Sequence, residues 1–572
     1  MQTTPTDAPT DERLALLWNA PLPPDTPIDL LAWVVSWHWL ATHRPGLELP
    51  KPVPRQADPL ATIELLLDAL RARIPRTLWP TVIPDPPQRW TEEDFDTILD
   101  HALSSKLPAD SATVVEALLR TDELRAPAPD HPTWPLGLID LLRALGKPQG
   151  ARLLCMGPVG GLVAARASDA AHIGLQGAHP SPLVAAALLV ADRPIEEMAE
   201  AEVVLAVPTL GHRLREATTV GSLKLHYEET RTLWEAWQCA THRAVVLLTP
   251  GQLDKAPARK LYERIVGDNA LDAVIQLPPR VVPGVNVAPV LLVLDKTRGN
   301  EHPVTFIDAT DAVPDEAAGR KQARDIQAMW EPLGQAVLDG SAPARRYEAS
   351  REEIASNDHD LSVHRYAKGP AHRALEQLAQ RETVQPLPAI ARLSRAQPLR
   401  EKDEGEDYIE IRGCDIAENG QIAPQHPPKR VLLPHDDLKR VQGQRLSPGD
   451  ILLNIKGRLG QVGLVGPDCG DNWLAGQVFM VIRAQDTVID PVYLFRYLDS
   501  PLVEQYLREV AFGATLPTVK AADLKSLVVP VPPLDEQEKV IAIHQAIRAE
   551  YAAIEAHRES IEEKRRRLWS VE

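Results

Sequence analysis

Residues 243–251 read RAVVLLTPG, an apolar run that ends in a Pro-Gly turn. Four similar runs occur on either side of it: 152–155 (RLLC), 203–207 (VVLAV), 273–277 (AVIQL) and 290–294 (VLLVL). Strands as apolar as these are buried on both faces of a sheet, and here they alternate with segments typical of helices. The pattern predicts a doubly wound parallel α/β sheet over residues 141–310.

The rest of the chain divides into regions of different character. Residues 1–140 space apolar side chains three and four apart between prolines, which predicts an N-terminal helical domain. Residues 311–384 are polar and predict a helical extension or linker. From 385 to 534, short β segments punctuated by Gly and Pro predict an α+β domain. The expected fold class is α/β multidomain, completed by a long helix over 535–572.

The C-terminal helix carries an apolar residue every seven positions. A strict seven-residue row drifts slowly around a helix, so it suits packing along another long helix. The spacing therefore predicts docking of a second copy or of a partner helix. The row consists of Val540, Ile547, Ile554, Ile561 and Leu568.

The net charge of −17 argues against a simple nucleic-acid binder, because phosphate contacts favour Lys and Arg. The charge is uneven along the chain. Residues 385–572 hold 24 Lys and Arg against 28 Asp and Glu, whereas the remainder holds 38 against 51. The C-terminal third is closer to neutral and is compatible with a local basic face.

The sequence also limits location and metal chemistry. No run of about 18 apolar residues and no basic-then-apolar leader pattern occurs, so we expect a cytoplasmic protein without a membrane segment. The four cysteines (Cys155, Cys239, Cys414 and Cys469) are scattered without metal-ligand spacing, and neither a metal site nor a disulfide is expected.

Several segments between about 140 and 370 resemble the modification subunits of type I restriction systems, which are N6-adenine DNA methyltransferases. The resemblance implies a Rossmann-like, methyltransferase-type domain. The matching segments are 244–251 (AVVLLTPG), 272–278 (DAVIQLP), 287–296 (VAPVLLVLDK) and 357–366 (NDHDLSVHRY).

Such an enzyme needs a glycine-rich turn that admits S-adenosylmethionine, an acid that holds the ribose, and an Asn-Pro-Pro-aromatic turn that holds the flipped adenine. When the chain is aligned on this resemblance, it departs from the family pattern at all three, and no Asn-Pro-Pro or Asp-Pro-Pro followed by an aromatic residue occurs in the sequence. The corresponding positions are Leu154, Pro158 and Gly160 in the first turn, Gly177 after the second strand, and Val207, Pro208 and Leu210 in the third turn.

Val207 stands where the resemblance places the amide, and an apolar side chain cannot accept a hydrogen bond from the adenine amine. Gly160 is then only part of a tight turn between strand and helix. We expect an inactive pseudo-methyltransferase that needs no cofactor. The alternative is an active enzyme that binds S-adenosylmethionine in a divergent pocket.

The C-terminal third resembles one half of a type I specificity subunit, a target-recognition domain followed by a spacer helix. The most distinctive segment is 527–537 (LVVPVPPLDEQ), directly before the long helix. Other matching segments are 408–413 (YIEIRG), 446–453 (LSPGDILL) and 457–463 (GRLGQVG). The resemblance implies sequence-specific binding of double-stranded DNA.

Polar side chains on the loops of this domain are the candidates for DNA contact. Arg and Lys can bond guanine edges and Gln can pair with adenine, although phosphate contacts are more common than base contacts. The alternative for each is a solvated side chain or a salt bridge, and Lys456 and Arg458 have no adjacent acid. The candidates are Lys456, Arg458, Gln477, Thr515, Lys520, Arg412 and Arg395.

Together these features predict a DNA-binding component of a bacterial restriction or phage-defence system. Nothing in the chain resembles a nuclease or a P-loop ATPase, so we expect separate subunits for those activities. A complete specificity subunit has two recognition domains, whereas this chain resembles one half. The resemblance therefore favours a homodimer or a heteromeric complex. A third alternative is an assembly adaptor whose recognition domain binds protein, in keeping with the acidic charge.

Overall fold

The computed structural model describes residues 28–53, 58–84, 91–104, 107, 109–123, 134–178, 181–253, 255–282, 285, 287–299, 302–312, 323–339, 344–380, 383–399, 404–511 and 517–568. The chain forms two compact units, Met1–Ala367 and Lys368–Glu572. Across the described residues, no helix combines the length and the apolar character needed to cross a membrane.

The first unit contains twelve helices and eleven strands among its described residues. The helices are α1 (Ile28–His43), α2 (Pro59–Arg71), α3 (Trp79–Val82), α4 (Glu92–Ser104), α5 (Ser111–Glu123), α6 (Leu136–Gly146), α7 (Gly160–Arg166), α8 (Pro182–Ala191), α9 (Glu228–Cys239), α10 (Ala256–Gly267), α11 (Ala323–Leu338) and α12 (Arg351–Ser356). The strands are β1 (Arg152–Met156), β2 (His172–Gln176), β3 (Ile195–Glu196), β4 (Ala201–Ala206), β5 (Arg213–Val220), β6 (Leu223–Tyr227), β7 (Ala240–Leu248), β8 (Leu271–Gln276), β9 (Val290–Asp295), β10 (Val304–Asp308) and β11 (Arg345–Ala349).

Nine of these strands form one sheet in the order β11-β10-β8-β9-β7-β4-β1-β2-β3. The five apolar runs predicted as strands are β1, β4, β7, β8 and β9, which confirms the α/β character. The prediction of a purely parallel sheet is wrong, because β9 runs antiparallel to both β7 and β8. The chain reverses direction between β8 and β9, and an apolar run looks the same for a strand of either direction.

Two apolar clusters cover the two faces of this sheet. Along β1, Leu153 and Cys155 belong to one cluster, and Leu154 and Met156 to the other. Trp33 and Trp37 of α1 are buried in the first cluster together with Leu153. The N-terminal helices therefore share the core of the sheet instead of enclosing a separate core over residues 1–140. The spacing of apolar residues in these helices predicted which helix faces are buried. It did not predict that the sheet covers those faces.

The second unit contains seven helices and nine strands among its described residues. The helices are α13 (Pro370–Ala379), α14 (Leu387–Ile390), α15 (His435–Val441), α16 (Pro491–Leu498), α17 (Pro501–Glu509), α18 (Ala521–Lys525) and α19 (Leu534–Leu568). The strands are β12 (Val384–Pro386), β13 (Ala391–Arg395), β14 (Glu406–Ile411), β15 (Arg430–Leu433), β16 (Ile451–Asn454), β17 (Val462–Leu464), β18 (Trp473–Ala475), β19 (Phe479–Ala484) and β20 (Val528–Pro530).

The strands of the second unit form small sheets, as expected for an α+β domain. The orders are β13-β19-β16-β17, β15-β14-β18 and β12-β20. Helix α13 also belongs here, because the backbone N–H groups of Ala371 and His372 each donate to the Glu509 carboxylate at 3.0 Å. The unit thus begins within the segment predicted as a helical extension over 311–384.

Helix α19 is buried only in its first half. Gln537 and His544 are buried, and Val540 and Ile547 are half-buried. The later members of the seven-residue row are open to solvent, with exposed fractions of 49% at Ile554, 52% at Ile561 and 73% at Leu568. A helix thus occupies Leu534–Leu568 of the predicted span 535–572, and the second half of its apolar row is open to solvent among the described residues of this unit.

Candidate nucleic-acid interface

Most of the predicted cofactor and catalytic positions follow the carboxyl ends of β1, β2 and β4, whereas Leu154 lies within β1. The Gly157 N–H donates to the carbonyl of Gln176 at 2.8 Å, and the Val207 N–H donates to the carbonyl of Met156 at 3.0 Å. Gly157 and Gly177 adopt φ values of +88° and +67°, the left-handed region that favours glycine. The turns after β1, β2 and β4 are therefore tied together through their backbones.

The side chains at these positions face apolar surroundings. Val207 is 1% exposed and lies in the same cluster as Cys155, whereas Leu154 is buried in the cluster on the other face. A Cβ on Gly157 would lie 2.2 Å from the Val207 carbonyl oxygen, so the turn after β4 packs directly against the turn after β1. Pro158 and Leu210 are half-buried, and Gly160 begins α7 as a buried residue.

The sequence analysis missed Glu229, a fully buried residue in the first turn of α9. Its carboxylate accepts hydrogen bonds from the Gly211 N–H at 2.9 Å, the Thr249 N–H at 2.6 Å and Gln252 Nε2 at 3.0 Å. These donors compensate the buried charge and join the turn after β4 to the turn after β7. In the sequence, Glu229 is distinguished only as one of two consecutive acids, Glu228 and Glu229, at the start of this helix.

In the second unit, the loop around Lys456 and Arg458 pairs with a distant segment. The Gly457 N–H donates to the Pro517 carbonyl at 2.8 Å, and the Val519 N–H donates to the Ile455 carbonyl at 2.9 Å. Lys520 follows this segment directly, so it lies beside the loop. Thr515 lies outside the described residues.

Other candidates lie along the same edge. The Ile455 N–H donates to the Val478 carbonyl at 2.9 Å, which places exposed Gln477 next to the loop. The Gly476 N–H donates to the Ile411 carbonyl at 2.8 Å, which places Arg412 beside Gln477. Arg395 ends β13 opposite the beginning of β19. We call this set of six the recognition rim: Arg395, Arg412, Lys456, Arg458, Gln477 and Lys520.

Two polar residues that the sequence analysis missed position the loop. Asn454 is 3% exposed, and its Oδ1 accepts the Lys456 N–H at 3.2 Å. Gln461 Nε2 donates to the Gly413 carbonyl at 3.0 Å. The sequence does contain one indication of this role, because Asn454 ends an apolar strand. A buried amide needs hydrogen-bond partners and therefore tends to hold the segments around it.

Family models match one segment in each of the two units of the chain. Residues 238–374 match the family model for N-6 DNA methylase, and residues 433–563 match that for the type I restriction modification DNA specificity domain. The chain joins an N-6 DNA methylase segment to a type I specificity domain. We therefore call Met1–Ala367 the methylase-like unit and Lys368–Glu572 the specificity unit. The predicted cofactor and catalytic positions all precede the matched methylase segment.

Individual relatives agree with this division. The specificity subunit of the type I restriction enzyme EcoBI from Escherichia coli is 29% identical over 24% of this chain and 28% of its own length. The methylase subunit of the type I restriction enzyme MpnII from Mycoplasma pneumoniae is 26% identical over 23% of this chain and 24% of its own length. The chain thus matches only about a quarter of each of these two relatives.

A solved methyltransferase subunit of a type I restriction-modification system from Streptococcus thermophilus is 15% identical. The match covers 48% of this chain and 68% of that chain, with a TM-score of 0.39.

The cations of the recognition rim differ in whether a carboxylate lies close to them. Among the described residues, no carboxylate pairs with Lys456 or Arg458, whereas Arg412 lies 3.5 Å from Asp415. Glu410, two residues before Arg412, is a second acid that interacts with this cation, and burial raises the pKa of Glu410. Arg395 likewise has no carboxylate partner among the described residues, so Arg395, Lys456 and Arg458 are the rim cations available to an anionic ligand. Over the described residues, no group of three His, Cys, Asp or Glu side chains is placed to hold a metal ion.

Proposed function

We propose that this chain is a sequence-recognising DNA-binding component of a restriction or phage-defence system and that its methylase-like unit transfers no methyl group. The observation that carries the first part is the convergence of Lys456, Arg458 and Gln477 on one edge of the specificity unit. Unpaired cations beside an exposed amide suit a surface that contacts both phosphates and base edges.

The proposal of an inactive methylase-like unit is supported by the chemistry of the third turn. An adenine amine needs an acceptor in a polar pocket. The position that should supply it is held by Val207, whose side chain lies in the apolar core. The Val207 carbonyl also lies against Gly157 in the first turn, which is the turn that would have to admit a cofactor.

The proposed function also requires a second copy of the chain and separate partner subunits. The uncovered second half of α19 suits pairing with the same helix of a second copy, which would present two recognition rims to one DNA duplex. Cleavage and translocation would then come from separate nuclease and ATPase subunits.

Selection from randomised duplexes at low salt tests DNA recognition. The full chain should enrich a defined sequence, and the double variant Lys456→Ala/Arg458→Ala should bind that sequence more weakly. If both cations contact phosphate, the slope of log affinity against log salt should fall by about two. The matched control is Lys439→Ala/Lys539→Ala, which removes two exposed lysines from helices away from the rim.

Two outcomes would overturn the proposal. Absence of salt-dependent duplex binding by the unaltered chain would favour a protein-binding adaptor. Transfer of a labelled methyl group from S-adenosylmethionine to duplex DNA would establish an active adenine methyltransferase with a fused specificity domain.

A further inference from the structure

A β-hairpin projects from the methylase-like unit between β4 and α9. Its strands β5 and β6 form a separate two-stranded sheet joined by Gly221 and Ser222. Leu223 and Leu225 are buried in the core, so β6 is anchored on one side and directs Lys224 outward. A Cβ on Gly221 would meet no atom within 4 Å, because the turn faces open space.

The base of this hairpin is held at both ends. The Gly211 N–H donates to buried Glu229, and His212 Nδ1 lies 2.9 Å from a Glu228 carboxylate oxygen. At the other end, Lys255 Nζ lies 3.6 Å from the centroid of the Tyr227 ring. The hairpin is thus a preorganised element, which lowers the entropic cost of binding a ligand.

Three of the six exposed side chains of the hairpin are cationic. Arg213, Arg215 and Lys224 are exposed, and none has a carboxylate partner among the described residues. Glu216 is the one acid between residues 209 and 227. Unpaired cations gathered on one element of a chain with a net charge of −17 have no evident structural purpose.

We propose that the β5–β6 hairpin binds the sugar-phosphate backbone of duplex DNA, as a second contact surface separate from the recognition rim. This inference rests on the proposed function. A two-stranded β-ribbon fits the major groove, and Arg and Lys displace the counterions condensed on phosphate. The hairpin adds affinity without reading sequence.

The test compares two triple variants of the full chain in duplex binding at several salt concentrations. Arg213→Ala/Arg215→Ala/Lys224→Ala removes the hairpin cations. Lys51→Ala/Lys147→Asn/Arg152→Ala removes three exposed cations elsewhere in the same unit, with Asn chosen because Lys147 has a φ of +54°. Matching thermal melts confirm that both variants are folded.

The hairpin variant should lower the slope of log affinity against log salt by about two to three, since each lost phosphate contact lowers it by about 0.9. It should keep the preference for the selected sequence, and its hydroxyl-radical footprint should lose part of the protected backbone. The control variant should retain the original slope and footprint.

An unchanged slope in the hairpin variant, with Lys456→Ala/Arg458→Ala still weakening binding, would reject the hairpin surface and leave the proposed function standing. Failure of the unaltered chain to bind any duplex would reject both proposals.

Discussion

At the scale of single residues, Val207 decides what the third turn can do. Its side chain is 1% exposed in the apolar cluster, so Val207→Asn would bury an amide without a partner. We expect the free energy of unfolding to fall by about 1–3 kcal/mol and no methyl transfer to appear. Urea denaturation and a methyl-transfer assay check this, with the smaller polar change Val207→Thr as comparison. Methyl transfer by the asparagine variant would contradict the expectation that the altered turns cannot form a working pocket even when the amide is restored.

His544 makes the stability of the specificity unit depend on pH. It is 6% exposed, and its Nδ1 accepts a hydrogen bond from Arg496 Nε at 2.9 Å. Burial, together with the charges of Arg496 and Arg548, lowers the pKa of His544 below its ordinary value of 6.5. Since the unfolded chain then binds the proton more readily, stability is complete above about pH 6.5 and falls as the pH drops below it.

We therefore expect the melting temperature of the full chain to decrease between pH 7 and pH 5, and His544→Gln to reduce this decrease. Glutamine can still accept the Arg496 hydrogen bond but does not titrate. Some dependence should remain, because burial also lowers the pKa of His372 in the same unit. The control is His557→Gln, an exposed position on the same helix. An identical pH profile for His544→Gln and the unaltered chain would contradict this role.

At the scale of elements, α19 is the part of the specificity unit with unsatisfied apolar surface. Burying an Ile side chain contributes about 1.5–3 kcal/mol, so a paired helix would gain substantially from Ile554 and Ile561. We expect Ile554→Asp/Ile561→Asp to convert a dimer into a monomer, as measured by light scattering after gel filtration. Glu555→Ala/Glu562→Ala, on the exposed polar part of α19, should leave the mass unchanged. A monomeric unaltered chain would exclude pairing through this row.

For the whole molecule, we expect that the methylase-like unit does not respond to S-adenosylmethionine. A ligand present at 100 times its dissociation constant stabilises the folded state by about 2.7 kcal/mol. We expect neither saturating S-adenosylmethionine nor saturating S-adenosylhomocysteine to raise the melting temperature above that of the protein alone. A rise with either ligand would show that the altered turns still form a cofactor pocket.

The apolar runs of the first unit predicted five strands because side-chain burial is recorded locally in the pattern. Strand direction is not recorded there, and the chain reverses direction between β8 and β9. Likewise, the spacing of the N-terminal helices predicted buried faces, but only packing showed that Trp33 and Trp37 share the core of the sheet.

For the candidate interface, the sequence determined which residues can bind phosphate and bases, because chemistry belongs to the side chain. The pairing of residues 455–457 with 517–519 brings Lys520 to the Lys456 loop, and this long-range contact depends on the tertiary fold. The same holds for Glu229, whose role arises from donors near residues 211 and 249. Local residue patterns were enough to separate the two halves of this protein, because side-chain burial and turn chemistry are recorded along the chain. Which side chains meet could be read only from the fold, because contacts between distant residues form only when the elements pack around a common core.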